Sequence, residues 1–180
     1  FISINLVEIK KQFLKVFVIY VLLTLIIFLL LSFSGIRIFD SFNLSMTVIS
    51  SGGFIPSNSL GEIISTNNQI FVLSITMLFS FFNLYLLYNL ISFRNEIDLF
   101  QEDILLFFYL LFLITISFIF INDLKNYQSL FLSLISSISN IGIGLNNSPN
   151  NLSIFFLFLT IIGGGLFSTS SGIRFIKFIL

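Results

Sequence analysis

Two short glycine-containing passages hold the groups of this chain best suited to chemistry. One is Ser50-Ser51-Gly52-Gly53, followed by Phe54 and Pro56; the other is Ser139-Asn140-Ile141-Gly142, followed by Gly144. Neither contains a charged side chain, so what they offer is backbone carbonyls and small polar groups. Glycine permits backbone angles that turn carbonyls toward one point, and rings of such oxygens can replace the hydration shell of a monovalent cation. The backbone oxygens of Ser50, Ser51, Gly52 and Gly53, and of Ser139, Asn140, Ile141 and Gly142, are therefore the expected selectivity-filter groups. Taken singly, either passage also reads as an ordinary external loop next to an interfacial helix.

A third passage, Gly163-Gly164-Gly165 followed by Phe167-Ser168-Thr169-Ser170-Ser171-Gly172, interrupts an apolar run. So many glycines and serines do not sustain an uninterrupted helix, and unwound backbone at membrane depth lines a cavity or is buried in protein. This stretch is expected to be an intramembrane gate loop below the filter, with a kink packed through small residues as the plain alternative. Arg174 follows it as a charge at the inner mouth or against lipid phosphate. Asn83, inside an apolar run, needs a protein partner for its amide and is expected to be a buried polar packing residue.

Other chemistry is poorly supplied. The chain has no His and no Cys, which removes the commonest general base and the thiolate metal ligands. Its acidic residues gather in loops, so no catalytic residues are assigned, and neither a cofactor nor an enzyme activity is expected. Net charge is zero and no long basic run occurs, which gives nucleic acid no footprint.

These passages need elements to position them. Of 180 residues 57% are hydrophobic and only 9% charged, with 26 Phe, against about a quarter charged in ordinary soluble domains. A multi-pass protein of the lipid bilayer follows. Spans are expected at Phe13–Phe33, Gln69–Ser92, Ile104–Ile121 and from Leu152 to Ile162. Ser41–Ile49 and Gln128–Ser139 are too short to cross and are expected to be half-helices that enter the membrane and stop. Asp40 is placed to cap the first of them, and Gly52, Gly53 and Pro56 to end it.

A shift of 89 residues lays Ser50 on Ser139 and Gly53 on Gly142, with the flanking spans in the same order. The fold class is thus an all-α membrane protein of tandem helix–re-entrant pore helix–helix repeats, the last helix broken by a Gly/Ser-rich segment. Residues 1–93 form the first repeat, 94–103 a cytoplasmic connection and 104–180 the second repeat. With the glycine turns opening outward, Lys10, Lys11, Lys15, Arg94, Arg174 and Lys177 lie inside and only Arg37 and Lys125 outside, the orientation the positive-inside rule favours.

Three stretches resemble Trk/Ktr-type potassium uptake proteins. Phe39-Asp-Ser-Phe-Asn-Leu-Ser-Met-Thr-Val-Ile-Ser-Ser-Gly-Gly-Phe54 is similar to the family's second pore segment, which ends in Ser-Thr-Gly-Gly-Phe. Asn83 with the Phe93-Arg94 pair resembles the Asn-centred helix after it. Ile162 to Lys177 resembles the Gly-Gly-x-x-Gly-Ser-Thr-x-Gly-Gly-Ile/Leu-Lys-x-x-Arg element of the third repeat. Phe167 stands where that element has Gly, Ser170-Ser171 replace a Gly pair, and Arg174 replaces Lys.

The resemblance implies potassium uptake across the bacterial cell inner membrane, with the transported K+ at the filter as the only metal ion. It also implies a four-repeat pore, of which this chain matches the second and third repeats. The filter would then be completed by the missing repeats or by another copy of the chain. A homodimeric full-length form and a cytoplasmic nucleotide-binding regulatory subunit are implied partners. Two other functions fit the residues alone: an ion-coupled secondary transporter with broken helices, and a non-transporting membrane assembly protein.

Overall fold

The computed structural model describes residues 6–82, 100–119, 127–145, 153–165, 168–174 and 177. Among them the regular structure is helical: α1 (Leu6–Phe33), α2 (Ile38–Ser50), α3 (Leu60–Ile63), α4 (Asn67–Phe81), α5 (Phe100–Ile119), α6 (Tyr127–Ile138) and α7 (Ser153–Ile161). The one strand-like pairing described is an isolated parallel bridge between Ile162 and Ile173.

The long helices are apolar on nearly every side. Within α1 the 21 residues Phe13–Phe33 are long and apolar enough to cross a membrane, since at 1.5 Å per residue they reach about 31 Å. One stripe of α1 is buried, Ile19, Leu23, Ile27 and Leu31 at intervals of four, while Phe13, Phe17, Val21, Leu25 and Leu29 are exposed. The same arrangement recurs in α5, where Leu106, Leu110 and Leu113 are buried and Phe107, Phe108 and Phe112 are exposed. Apolar surface on this scale belongs against lipid or another apolar partner.

The short helices α2 and α6 are each buried along one face. In α2, with 13 residues, Leu44, Ser45, Thr47, Val48 and Ile49 are buried. In α6, with 12 residues, Leu132, Ser133, Leu134, Ile135, Ser136 and Ile138 are buried. At about 20 Å and 18 Å, neither reaches across a 30 Å hydrocarbon layer. The first packs against α1 and α4, and the second against α4, α5 and α7. Phe71 of α4 stacks on Phe131 of α6 with ring centroids 6.3 Å apart.

Several element boundaries differ from the sequence expectation. Helix α2 starts at Ile38, with Arg37 as its N-cap residue. Asp40 therefore lies in the first turn, where its carboxylate meets Arg37 Nε at 2.9 Å. That position still suits an acid, because the first turn exposes unpaired N–H groups. Residues 57–68 contain the single turn α3, and α4 begins at Asn67, two residues before the expected span, behind a Thr66–Gln69 capping box. Gln69 Oε1 accepts from the N–H groups of Ser65 and Thr66, and its Nε2 donates to the Ser34 carbonyl at 3.4 Å. One amide thus joins the start of α4 to the end of α1.

Helix α4 also ends earlier than its apolar run suggests. It is helical to Phe81, and Phe82 has extended backbone. The remainder of the expected span, including Asn83, lies outside the described residues.

Candidate functional site

Helices α2 and α6 end in the same way, and their ends build the two glycine passages. The Gly52 N–H donates to Thr47 O at 3.1 Å and the Ser51 N–H to Val48 O at 3.3 Å. In α6 the Ile141 N–H donates to Ser136 O at 3.1 Å and the Asn140 N–H to Ser137 O at 3.3 Å. Each pair of bonds is a Schellman motif, which closes a helix through one left-handed residue. That residue is Ser51 (φ 50°) in the first passage and Asn140 (φ 56°) in the second. Two residues on, Gly53 (φ 69°) and Gly142 (φ 77°) are left-handed as well. Ser51 to Asn140 and Gly53 to Gly142 are both steps of 89 residues. The residue that turns the chain out of α2 is thus Ser51, one position before the glycine expected to do so.

The side chains at these ends follow the same correspondence. Ser50 Oγ donates to Met46 O at 2.7 Å and Ser139 Oγ to Ile135 O at 2.8 Å, each four residues back in its own helix. Thr47 Oγ1 donates to the Phe54 carbonyl at 2.7 Å, and Ser136 Oγ accepts from the Ile143 N–H at 2.8 Å. In both cases a buried helix hydroxyl pins the chain seven residues later. With the hydroxyl protons of Ser50 and Ser139 turned inward, the passages present mainly backbone. Each also sits at a helix C-terminus, where the macrodipole is negative and favours a cation.

The passages touch each other. A Cβ added to Gly53 would lie 2.6 Å from the Ile141 carbonyl oxygen, closer than real Cβ contacts come, whereas one on Gly142 would meet nothing within 4 Å. On the side of the second passage is a cavity of about 250 Å³, bordered by Ser133, Ser137, Asn140, Gly142, Gly144 and Thr160.

Beyond α7 the chain leaves the helix and folds back. The Gly163 N–H donates to Ile173 O at 2.8 Å and the Ile173 N–H to Ile161 O at 2.9 Å, closing the base of a loop. The body of the loop caps α4: the Gly165 N–H reaches Phe81 O at 3.2 Å, and the Ser170 N–H reaches Ser80 O at 3.1 Å. Thr169 Oγ1 adds a bond to Ser80 O at 3.3 Å. These carbonyls belong to the last turn of α4, where a helix leaves its C=O groups in need of partners.

Close approach requires glycine here. A Cβ on Gly164 would collide with Phe81 O and with the hydroxyls of Ser168 and Ser170, and one on Gly163 would lie 2.6 Å from Ser171 O. Inside the loop, Ser170 Oγ accepts from the Gly164 N–H at 2.8 Å and lies 3.0 Å from Ser168 Oγ. Arg174 turns back over the loop. Its Nη1 lies 2.9 Å from both Ser168 Oγ and Ser170 O, and at longer range from Ser168 O (3.2 Å) and Gly165 O (3.4 Å). Two hydrogens on Nη1 serve two acceptors well, so the shorter pair carries the interaction. Ser171 O takes a bond from elsewhere, from Asn140 Nδ2 at 2.9 Å. Gly172 (φ 96°) completes the turn into Ile173. Phe167 lies outside the described residues.

No protein-family model matches the chain, and no curated protein matches it by sequence. Its fold does have a counterpart among solved structures, the crystal structure of the potassium transporter TrkH from Vibrio parahaemolyticus, with a TM-score of 0.81 over 99% of this chain. The chain has a TrkH-like fold. Sequence identity is 19%, so the likeness is one of fold, and the chain spans 40% of the TrkH chain it matches.

With the TrkH-like arrangement in place, the predicted site residues fall into three groups. The backbones of 50–53 and 139–142 are brought together, and the 163–172 loop is joined to the second through Asn140. Arg174 joins that loop rather than standing apart from it. Sequence reasoning missed Thr47 and Ser136, which brace the passages, and Ser80 and Phe81, which receive the loop. The 89-residue step from Thr47 to Ser136 was the signal available for the first pair. Among the described residues no group of three His, Cys, Asp or Glu side chains could hold a metal ion.

Proposed function

We propose that this chain forms part of a membrane pore for potassium ions, its filter groups being the backbone oxygens of residues 50–53 and 139–142. The observation that carries this reading is the pair of matched passages. Two short helices end in the same Schellman motif, each followed by a left-handed glycine, and Gly53 packs on the Ile141 carbonyl. A desolvated cation needs several fixed oxygens and a negative field, and two helix C-termini with their following carbonyls supply both. Residues 1–93 and 104–180 are then two pore repeats joined by 94–103 in a multi-pass protein of the bacterial inner membrane.

In this reading the loop at 163–172 is the movable constriction beneath the filter. The pore is closed by further repeats of the whole protein or by another copy of the chain. A dimeric full-length form regulated by a cytoplasmic nucleotide-binding subunit belongs to the same proposal.

The test is growth. Expressed in uptake-deficient bacteria, the full-length protein restores growth on low potassium, and Gly53→Ala abolishes selective uptake while the protein still reaches the membrane. Selective uptake that survives Gly53→Ala would remove the filter assignment.

A further inference from the structure

Asn140 does something that the carbonyl assignment of its passage does not use. Its backbone closes α6 in the left-handed region (φ 56°), while its side-chain Nδ2 donates to Ser171 O across 31 residues of chain. The residue in the matching place of the first passage is Ser51, with φ 50° and a buried hydroxyl that has no hydrogen-bond partner. A Schellman end of this kind therefore forms without an amide side chain. What the amide adds is a bond between the second passage and the glycine/serine loop.

The acceptor is held in place for that bond. The approach of Gly163 would put a Cβ 2.6 Å from Ser171 O, so the carbonyl is backed by one strand of the loop while it faces Asn140. The loop's other fastenings run elsewhere, to Ser80 and Phe81 of α4 and to its own Arg174. Among the described hydrogen bonds, Asn140–Ser171 is the one that ties the loop to a filter passage.

We infer that Asn140 is a positioning residue that fastens the loop against the second passage, so that displacement of the loop must break the Asn140–Ser171 bond. This rests on the reading of 163–172 as a movable constriction. A neutral amide-to-carbonyl bond suits the task, being directional enough to define one docked position and weak enough in net terms to be broken and remade.

The experiment uses the full-length protein with Asn140→Ser, which places in the second passage the residue that the first one carries at Ser51. Two readouts are taken. One is the rate at which a water-soluble thiol reagent modifies Ser171→Cys, a probe whose backbone acceptor is unchanged. The other is uptake of potassium and sodium ions, each measured separately. Loss of the fastening raises the modification rate and resting potassium uptake by about fivefold, the factor an ordinary net hydrogen bond represents, and leaves the potassium-to-sodium ratio as it was. Unchanged rates overturn the inference, as does a changed ratio, which would place the role of Asn140 in filter geometry. Asn140→Gly, at ease in the left-handed region, gives the same readouts if Asn140→Ser does not accumulate. Wild-type protein that takes up no potassium would defeat the pore reading, while the thiol rates alone would still decide the fastening.

Discussion

Gly53 and Gly142 are both left-handed, yet their surroundings set them apart. Alanine at Gly142 meets only the backbone penalty, about 1–2 kcal/mol, because nothing lies within 4 Å of its Cβ. Alanine at Gly53 adds a collision with the Ile141 carbonyl, so both passages must move. Gly53→Ala is therefore expected to lower potassium uptake and melting temperature more than Gly142→Ala, and the reverse order would count against contact between the passages. Arg174→Ala removes a charged donor from Ser168 and Ser170. Bonds to charged groups contribute more than neutral ones, so amide exchange at Gly165 and Ser170 should accelerate by about tenfold or more. Exchange that stays at the wild-type rate would show that Arg174 does not hold the loop. The glycine pattern made the passages legible in the sequence, but Ser51 and Asn140 as left-handed helix ends were not. Serine seldom adopts that region, and asparagine, which does so more readily, is too frequent in this chain for its type alone to mark a helix end.

At the scale of elements, length was the most readable property. The apolar run Phe13–Phe33 matches the membrane-length part of α1, and the two short serine-spaced stretches correspond to α2 and α6 within three residues at either end. The end of α4 could not be read, because its apolar run continues past Phe81. It is set instead by a tertiary partner, as the Ser80 and Phe81 carbonyls are taken by N–H groups of the distant loop. The braces Thr47 and Ser136 also belong to this scale. Thr47→Val leaves the Phe54 carbonyl without its hydroxyl donor, and Ser136→Ala leaves the Ile143 N–H without its acceptor. Ser136→Ala should destabilise the protein by about 1–3 kcal/mol, the cost of stranding a buried polar group, and Thr47→Val by less, since Phe54 is exposed and water can reach its carbonyl. Both should also narrow the potassium-to-sodium uptake ratio, since they free the chain just beyond Gly53 or Gly142. Variants with wild-type stability and selectivity would show that the passages keep their shape without these hydroxyls.

Among the described residues many large apolar side chains of α1 and α5 are exposed, while the buried faces of α2, α4 and α6 carry Ser and Thr beside their apolar residues. Buried Ser74, Thr76 and Ser80 of α4 satisfy their hydroxyls on carbonyls of the preceding turn, as a dry interior requires. Composition alone announced the apolar exterior, and the 89-residue step announced two similar halves. Contact between the halves, and the loop that joins α4 to the second passage, depend on distant backbone atoms that no local pattern encodes. The central claim is that the two glycine passages share one cation path, and crystals of the full-length protein grown in rubidium test it most directly. Anomalous density is expected within coordinating distance of backbone oxygens from both 50–53 and 139–142. Rubidium bound elsewhere, with none between these passages in a protein that takes it up, would contradict the account.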